Sequence, residues 1–177
     1  MKSFIVAAAA SAIAFAAPAS AEVLSGPHAG VAMTVDNIQG SGSFEGAGFS
    51  GVGVTGFAGY DAPLAGNVFA GVEANVDGYT ADAQGLDAKW GWGVSGRLGT
   101  KLNDSTGIYA RVGYTRAKIG YDDGDMNLHQ WLDGVRYGAG LETKVTDSVA
   151  LRAEFTQINY EKNLINNQVQ FGVVYGF

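Results

Sequence analysis

Along this chain, apolar side chains recur at every second position in one segment after another. The last nine residues carry the pattern most plainly. Val169, Phe171, Val173, Tyr175 and Phe177 alternate with Gln170, Gly172, Val174 and Gly176. Successive side chains of a β-strand point to opposite faces, so the first five share one face. Reading backwards, the same alternation appears in Val149–Leu151–Ala153–Phe155, Val135–Tyr137–Ala139–Leu141 and Ile108–Ala110–Val112–Tyr114. It continues in Trp90–Trp92–Val94–Gly96–Leu98, Val68–Ala70–Val72–Ala74–Val76 and Val52–Val54–Gly56–Ala58–Tyr60. Ala29–Val31–Met33–Val35 is the first and shortest segment.

Eight strands follow from this pattern, and their apolar faces contain no charged residue in a chain that is 16% charged. The opposite faces hold glycine, Arg and Glu. A soluble up-and-down barrel of the lipocalin kind turns its apolar face inward and its charges outward. Here the charges share a face with glycine, which suits a lumen, and the bare apolar face suits lipid, where an Arg or Lys at mid-bilayer costs ~2–4 kcal/mol. The expected fold is therefore an all-β, transmembrane, eight-stranded antiparallel up-and-down β-barrel.

Connection lengths point the same way. Short turns are expected at Asp61–Asn67, Leu102–Thr106 and Val145–Ser148, and longer, less regular loops near 37–48, 78–88, 116–133 and 157–167. Short internal turns alternating with long external loops are the expected arrangement of an outer-membrane barrel with both termini inside. A weak repeat, Thr100-Lys-Leu-Asn-Asp-Ser105 against Thr143-Lys-Val-Thr-Asp-Ser148, agrees with hairpins recurring along the chain.

The N-terminus adds a destination. Lys2, an Ala-rich apolar stretch from Phe4 to Phe15 and the small residues Ala19-Ser20-Ala21 predict an export signal cleaved after Ala21. Residues 1–21 would then be a signal peptide and 22–177 one barrel domain. A transmembrane helix is the rival for residues 3–21, opposed by Pro18 and the small-residue triplet. The formal net charge of −6 becomes about −7 without Lys2 and argues against nucleic acid. With no cysteine in the chain there is no disulfide framework or thiolate chemistry.

The inward faces of five strands bring Glu73, Arg97, Arg111, Arg136, Glu142, Arg152 and Glu154 into a lumen with little room beyond its own side chains. Buried charges need partners, so these seven are expected to form an ion network with a structural role. A selectivity ring in a pore is the alternative. Gly91, Gly93, Gly99, Gly113, Gly138 and Gly140 are expected to make room for the long charged side chains. Trp90, Trp131 and Tyr114 near the external strand ends, with Tyr60, Tyr175 and Phe177 near the internal ones, read as interfacial belts. His28 and His129 have no local support for a Ser/His/Asp arrangement. Asp122, Asp123 and Asp125 are weak candidates for a hard cation, more simply read as a solvated acidic loop. No cofactor is expected.

Strand endings such as Phe57-Ala-Gly-Tyr60, the segments Tyr137-Gly-Ala-Gly-Leu-Glu142 and Ala150-Leu-Arg-Ala-Glu-Phe155, and the terminal Tyr175-Gly-Phe177 carry a family resemblance. In their order and spacing the chain resembles the small outer-membrane β-barrel family, with its OmpA/OmpX-type and opacity-type members. The resemblance implies insertion into the bacterial outer membrane among its lipid and lipopolysaccharide, with Tyr175 and Phe177 read by the barrel-assembly machinery. It implies a monomer and roles in envelope integrity, adhesion or partner binding through external loops. No peptidoglycan-binding domain is expected after the barrel. Three function classes follow: a non-enzymatic surface barrel first, a narrow ion-conducting channel second, and a lipid-modifying barrel enzyme third.

Overall fold

The computed structural model describes residues 25–40, 48–79, 82–83, 86–122, 127–161 and 164–177. The strands are β1 (Gly26–Gly40), β2 (Gly48–Pro63), β3 (Val68–Tyr79), β4 (Asp82–Ala83), β5 (Leu86–Lys101), β6 (Thr106–Asp122), β7 (Asn127–Lys144), β8 (Val149–Tyr160) and β9 (Leu164–Gly176). Each long strand pairs antiparallel with its sequence neighbours, β3 pairs β5, and β1 pairs β9 to close the wall. The two-residue β4 pairs only with the start of β5, Asp82 with Asp87 and Ala83 with Leu86. Eight strands thus form a closed barrel, which leaves no sheet edge and pairs the backbone within the wall, as lipid requires.

Closure fixes a stagger that the individual strands do not reveal. Stepping between paired residues from His28 through Gly59, Glu73, Ser95, Gly113, Arg136, Ile158 and Asn166 returns to β1 at Ile38. The return lies ten residues beyond the start, from position 28 to 38. Strands must therefore tilt against the barrel axis. Residues joined by hydrogen-bonded rows climb around the wall.

Polarity is inside out. Phe171 is 62% exposed and Val112 61%, while Arg136 is 1% exposed and Thr115, Thr156 and Gln168 are fully buried. In every one of the eight long strands, the described apolar positions expected on the outer face lie there. Water would penalise such a surface, and lipid tails do not.

Two expectations about length are corrected. β1 runs for fifteen residues, longer than the twelve of β3, and is not the shortest strand. The long connections are mostly paired backbone: Arg116 to Asp122 pairs with Asp133 to Asn127, and Asn37 to Gln39 with Ser50 to Gly48. Antiparallel pairing continues past the point where the apolar alternation stops, because the ladder needs only backbone groups.

At the internal end, hydrogen bonds cross from each hairpin to the next. Lys101 N donates to Asn67 O (2.8 Å), Lys144 N to Ser105 O (2.7 Å), Gly176 N to Ser148 O (2.9 Å) and Phe177 N to Pro27 O (3.1 Å). The repeated Asp-Ser turns therefore complete a hydrogen-bonded rim, and the C-terminal aromatic is tied to the first strand.

Candidate functional site

The barrel interior gathers the charges that alternation places on the inner face. Pairing sets Arg97 of β5 directly opposite Arg111 of β6 and Glu142 of β7 opposite Arg152 of β8. Like charges across a ladder repel, so the first pair needs carboxylates nearby. Arg97 Nη1 donates to Glu73 Oε2 (3.0 Å) and its Nη2 to Glu142 Oε1 (2.7 Å). Arg111 Nη1 donates to Glu154 Oε1 (2.6 Å) and lies 3.2 Å from Glu73 Oε1. Arg152 Nε donates to Glu142 Oε1 (2.8 Å), and its Nη2 lies 2.7 Å from both Glu73 and Glu142. Glu73 thus touches all three guanidiniums.

Six of the seven expected network residues belong to this cluster. Arg136 instead pairs with Asp77 (Nη2 to Oδ2, 2.8 Å), four residues further along β3 than Glu73. Strand tilt lifts it towards the external end.

Two cluster members fell outside the expected list. Asp61, assigned from sequence to a turn, lies within β2 and points into the lumen, 1% exposed and 3.6 Å from Arg97 Nη1. His28 Nε2 lies 3.2 Å from Glu73 Oε2 and 3.1 Å from Arg97 Nη1, with Nδ1 3.6 Å from Asp61. Parity could have found both, since His28 alternates with Ala29 and Asp61 with Tyr60. Each lies just beyond the end of its apolar segment, His28 before Ala29 and Asp61 after Tyr60, so the apolar pattern does not mark them.

Aromatic rings pack among the charges. The Arg152 guanidinium lies 3.9 Å from the Phe57 ring and that of Arg97 4.0 Å from the Tyr109 ring, whose hydroxyl donates to Glu154 (2.6 Å). Phe69 is fully buried beside Tyr109. This changes the account of the glycines. A side chain at Gly140 would overlap Tyr109, and one at Gly99 would overlap Phe69. Gly93 faces Asn75, Gly113 faces Ser95, Gly138 faces Thr156 and Gly91 faces Ala117. The expected glycines make room for rings, small polar groups and neighbouring backbone, and the nearest atoms are not the long charged groups.

Nearer the external end, Asp77 also accepts from Thr55 Oγ1 and Asn75 Nδ2, each at 2.8 Å. Asp36 accepts from Gln168 Nε2 (2.6 Å) and Asn166 Nδ2 (3.1 Å). The lumen is thereby cross-linked at two heights by side chains from all eight wall strands.

Such an arrangement is suited to holding the wall together. Guanidiniums occupy the approaches to Glu73 that a metal ion would need, and His28 is turned towards carboxylates with both ring nitrogens. Of the cation candidates, Asp122 ends β6 opposite Asn127. Asp123 and Asp125 lie outside the described residues, as do His129's side chain and the expected cleavage point after Ala21.

The outer wall carries aromatic rings at both ends. Tyr175 and Phe177 meet edge to face at 5.0 Å by the internal end, and Tyr60 is exposed near the internal end of β2. Trp90 and Trp131 meet at 5.3 Å and Trp92 and Tyr114 at 5.9 Å by the external end.

The model of the outer membrane protein beta-barrel domain matches residues 7–177. A 25 kDa outer-membrane immunogenic protein of Brucella ovis is 30% identical over 112 residues, covering 60% of this chain and 55% of that protein. The chain spans about half the length of the curated relatives it matches. Among solved structures, Neisserial surface protein A superposes with a TM-score of 0.68 at 18% identity, covering 86% of this chain and 98% of that one. The attachment invasion locus protein of Yersinia pestis gives 0.65 at 13% identity, covering 86% and 99%. At these identities the structural likeness establishes the fold.

Proposed function

Because the chain belongs to the outer membrane protein beta-barrel domain family, and is therefore a β-barrel protein of the bacterial outer membrane, we propose that its barrel is a sealed, non-enzymatic scaffold. In this reading the external hairpins supply the activity, through envelope integrity, adhesion or partner binding. The observation that carries it is the Glu73 cluster. Three guanidiniums and four carboxylates, all buried and packed with Phe57 and Tyr109, meet across the internal half of the lumen.

Opening a path through it would separate buried opposite charges, and removing one partner from such a pair costs about 3–5 kcal/mol. An acyl-transfer site would need an apolar cavity and a nucleophile beside His28. The side chains that face His28 are instead Asp61, Glu73 and Arg97. The protein functions as a monomer, and the tied C-terminal strand with Tyr175 and Phe177 is the feature presented to the barrel-assembly machinery.

The test is conductance. Refolded protein in planar bilayers is expected to give no reproducible ion-selective steps, and such steps altered by Arg97→Ala would replace this reading with a narrow channel.

A further inference from the structure

Charge does not balance in the external half of the lumen. Among the described buried residues, that half holds two carboxylates, Asp36 and Asp77, and one guanidinium, Arg136. Arg136 donates to Asp77 at 2.8 Å. Asp77 also accepts from Thr55 and Asn75, so both of its oxygens are engaged. Asp36 has only neutral donors. Its Oδ1 accepts from Gln168 Nε2 (2.6 Å) and from Asn166 Nδ2 (3.1 Å). It is 2% exposed, and no cationic side chain among the described residues touches it. An ionised carboxylate shut away from water needs a counter-charge, and the guanidinium of this half is already engaged with Asp77.

Oxygen atoms with lone pairs to spare lie beside Asp36. Asn166 Oδ1 is buried without a hydrogen-bond partner, although the nitrogen of the same amide is fixed on Asp36. Thr55 gives its hydroxyl proton to Asp77, so Thr34, 3.1 Å away, donates to Thr55 and keeps its own lone pairs. Thr34 is one inward step from Asp36 on β1. Pairing sets Gly51 of β2 opposite Asp36 and Gly53 opposite Thr34, so no β2 side chain crowds the carboxylate from those positions. Carboxylate, amide and hydroxyl oxygens suit a hard cation. Among the described residues no three His, Asp or Glu groups converge to supply the charge on which divalent ions draw. A deficit of one charge matches a monovalent ion.

We propose that the external half of the lumen binds one alkali cation, sodium or potassium, on the Asp36 carboxylate, with Asn166 Oδ1 and Thr34 Oγ1 as neutral ligands. The ion does for Asp36 what Arg136 does for Asp77. Its ligands come from β1 and β9, so it also ties together the two strands whose pairing closes the wall. A divalent ion would overshoot the deficit, and its excess charge would be repelled by Arg136, which with Asp77 is the charge that acts most on Asp36. The site is independent of the sealed-scaffold reading. A cation held above the Glu73 cluster neither needs nor opens a path through it.

Mature protein is refolded into zwitterionic phosphocholine vesicles and unfolded in urea at constant ionic strength. Sodium or potassium chloride is exchanged stepwise for the chloride of N-methyl-D-glucamine, a cation too bulky for the site, while tryptophan emission is followed. The unfolding midpoint should rise saturably with sodium or potassium, as a ligand that binds only the folded state requires. Asp36→Asn should remove that rise, and in N-methyl-D-glucamine its midpoint should equal or exceed the wild type's, because the uncompensated charge is gone. Loss of a merely structural contact would lower the midpoint in every salt alike. Asn166→Ala, which keeps the carboxylate, should raise the half-saturating sodium concentration by about tenfold or more. Heat-modifiable gel mobility checks that each variant barrel is intact. A wild-type midpoint that ignores the identity of the cation, including one that moves only with pH because a proton neutralises Asp36, would overturn the proposal. So would a sodium effect that survives Asp36→Asn, or calcium acting more strongly than sodium at equal ionic strength. None of these outcomes bears on the conductance test of the sealed barrel.

Discussion

Replacing Arg152 with methionine removes a guanidinium that is 3% exposed and lies within 2.8 Å of two carboxylates. Counting His28 as neutral, the internal cluster holds the carboxylates of Asp61, Glu73, Glu142 and Glu154 against Arg97, Arg111 and Arg152. Arg152→Met leaves four negative groups facing two positive ones, in a space from which water is largely excluded. Removing one partner of a buried pair costs about 3–5 kcal/mol, and this variant should fall in that range. Glu73→Gln acts differently. It leaves three carboxylates for three guanidiniums, and every arginine keeps one: Arg97 and Arg152 on Glu142 (2.7 Å each) and Arg111 on Glu154 (2.6 Å). Its cost should be smaller, about 1–3 kcal/mol, the scale of an impaired buried hydrogen bond. The double variant returns to a single excess negative charge, as in the wild type. It should therefore cost less than the sum of the two by about 1–3 kcal/mol. Urea unfolding in lipid vesicles, followed by tryptophan emission and gel mobility, gives all three values. A cost below about 1 kcal/mol for Arg152→Met, a larger cost for Glu73→Gln, or strict additivity would refute this account of the cluster.

Three further outcomes can be measured with the same assay. Gly140→Ala should destabilise by about 1–3 kcal/mol because its methyl group overlaps Tyr109 and disturbs that hydroxyl's bond to Glu154, whereas Gly56→Ala, which meets nothing within 4 Å, should be nearly neutral. Similar costs at both sites would contradict the packing argument. Val112→Arg, placed on the outer wall where the native side chain is 61% exposed, should cost ~2–4 kcal/mol in a bilayer. A stability unchanged by that arginine would mean the face does not meet lipid. Phe177→Ser should slow assembly into outer membranes in cells while shifting the equilibrium stability of refolded protein by only about 1 kcal/mol, since it keeps the backbone bond to Pro27. Unimpaired assembly would remove the insertion-signal role.

Alternation is a local property, and it was legible residue by residue. The outward set from Val31 to Tyr175 follows from the two-residue repeat of a strand, because a slip of one position would send every valine into the lumen and every arginine into lipid. The same logic placed Arg97, Arg111, Glu142, Arg152 and Glu154 inside. It ends where apolar spacing ends, so the strand portions from Asn37 to Gln39 and from Arg116 to Asp122 read as loops in the sequence, and alternation of apolar residues does not mark His28 and Asp61 as part of the network.

Height and partnership belong to the closed barrel. His28 meets Glu73, forty-five residues away, because pairing carries the row from β1 through Gly59 of β2 to β3. Arg136 leaves the other arginines for Asp77 because ten residues of stagger raise its strand relative to theirs. The edge-to-face contact of Trp90 with Trp131 likewise exists only once β5, β6 and β7 lie side by side with Trp90, Lys118 and Trp131 in register. The sequence by itself determined which face each side chain takes, since that depends on the strand's own repeat. The tertiary structure alone decided which side chains meet, since that depends on strand tilt and stagger, which closure of the whole wall imposes.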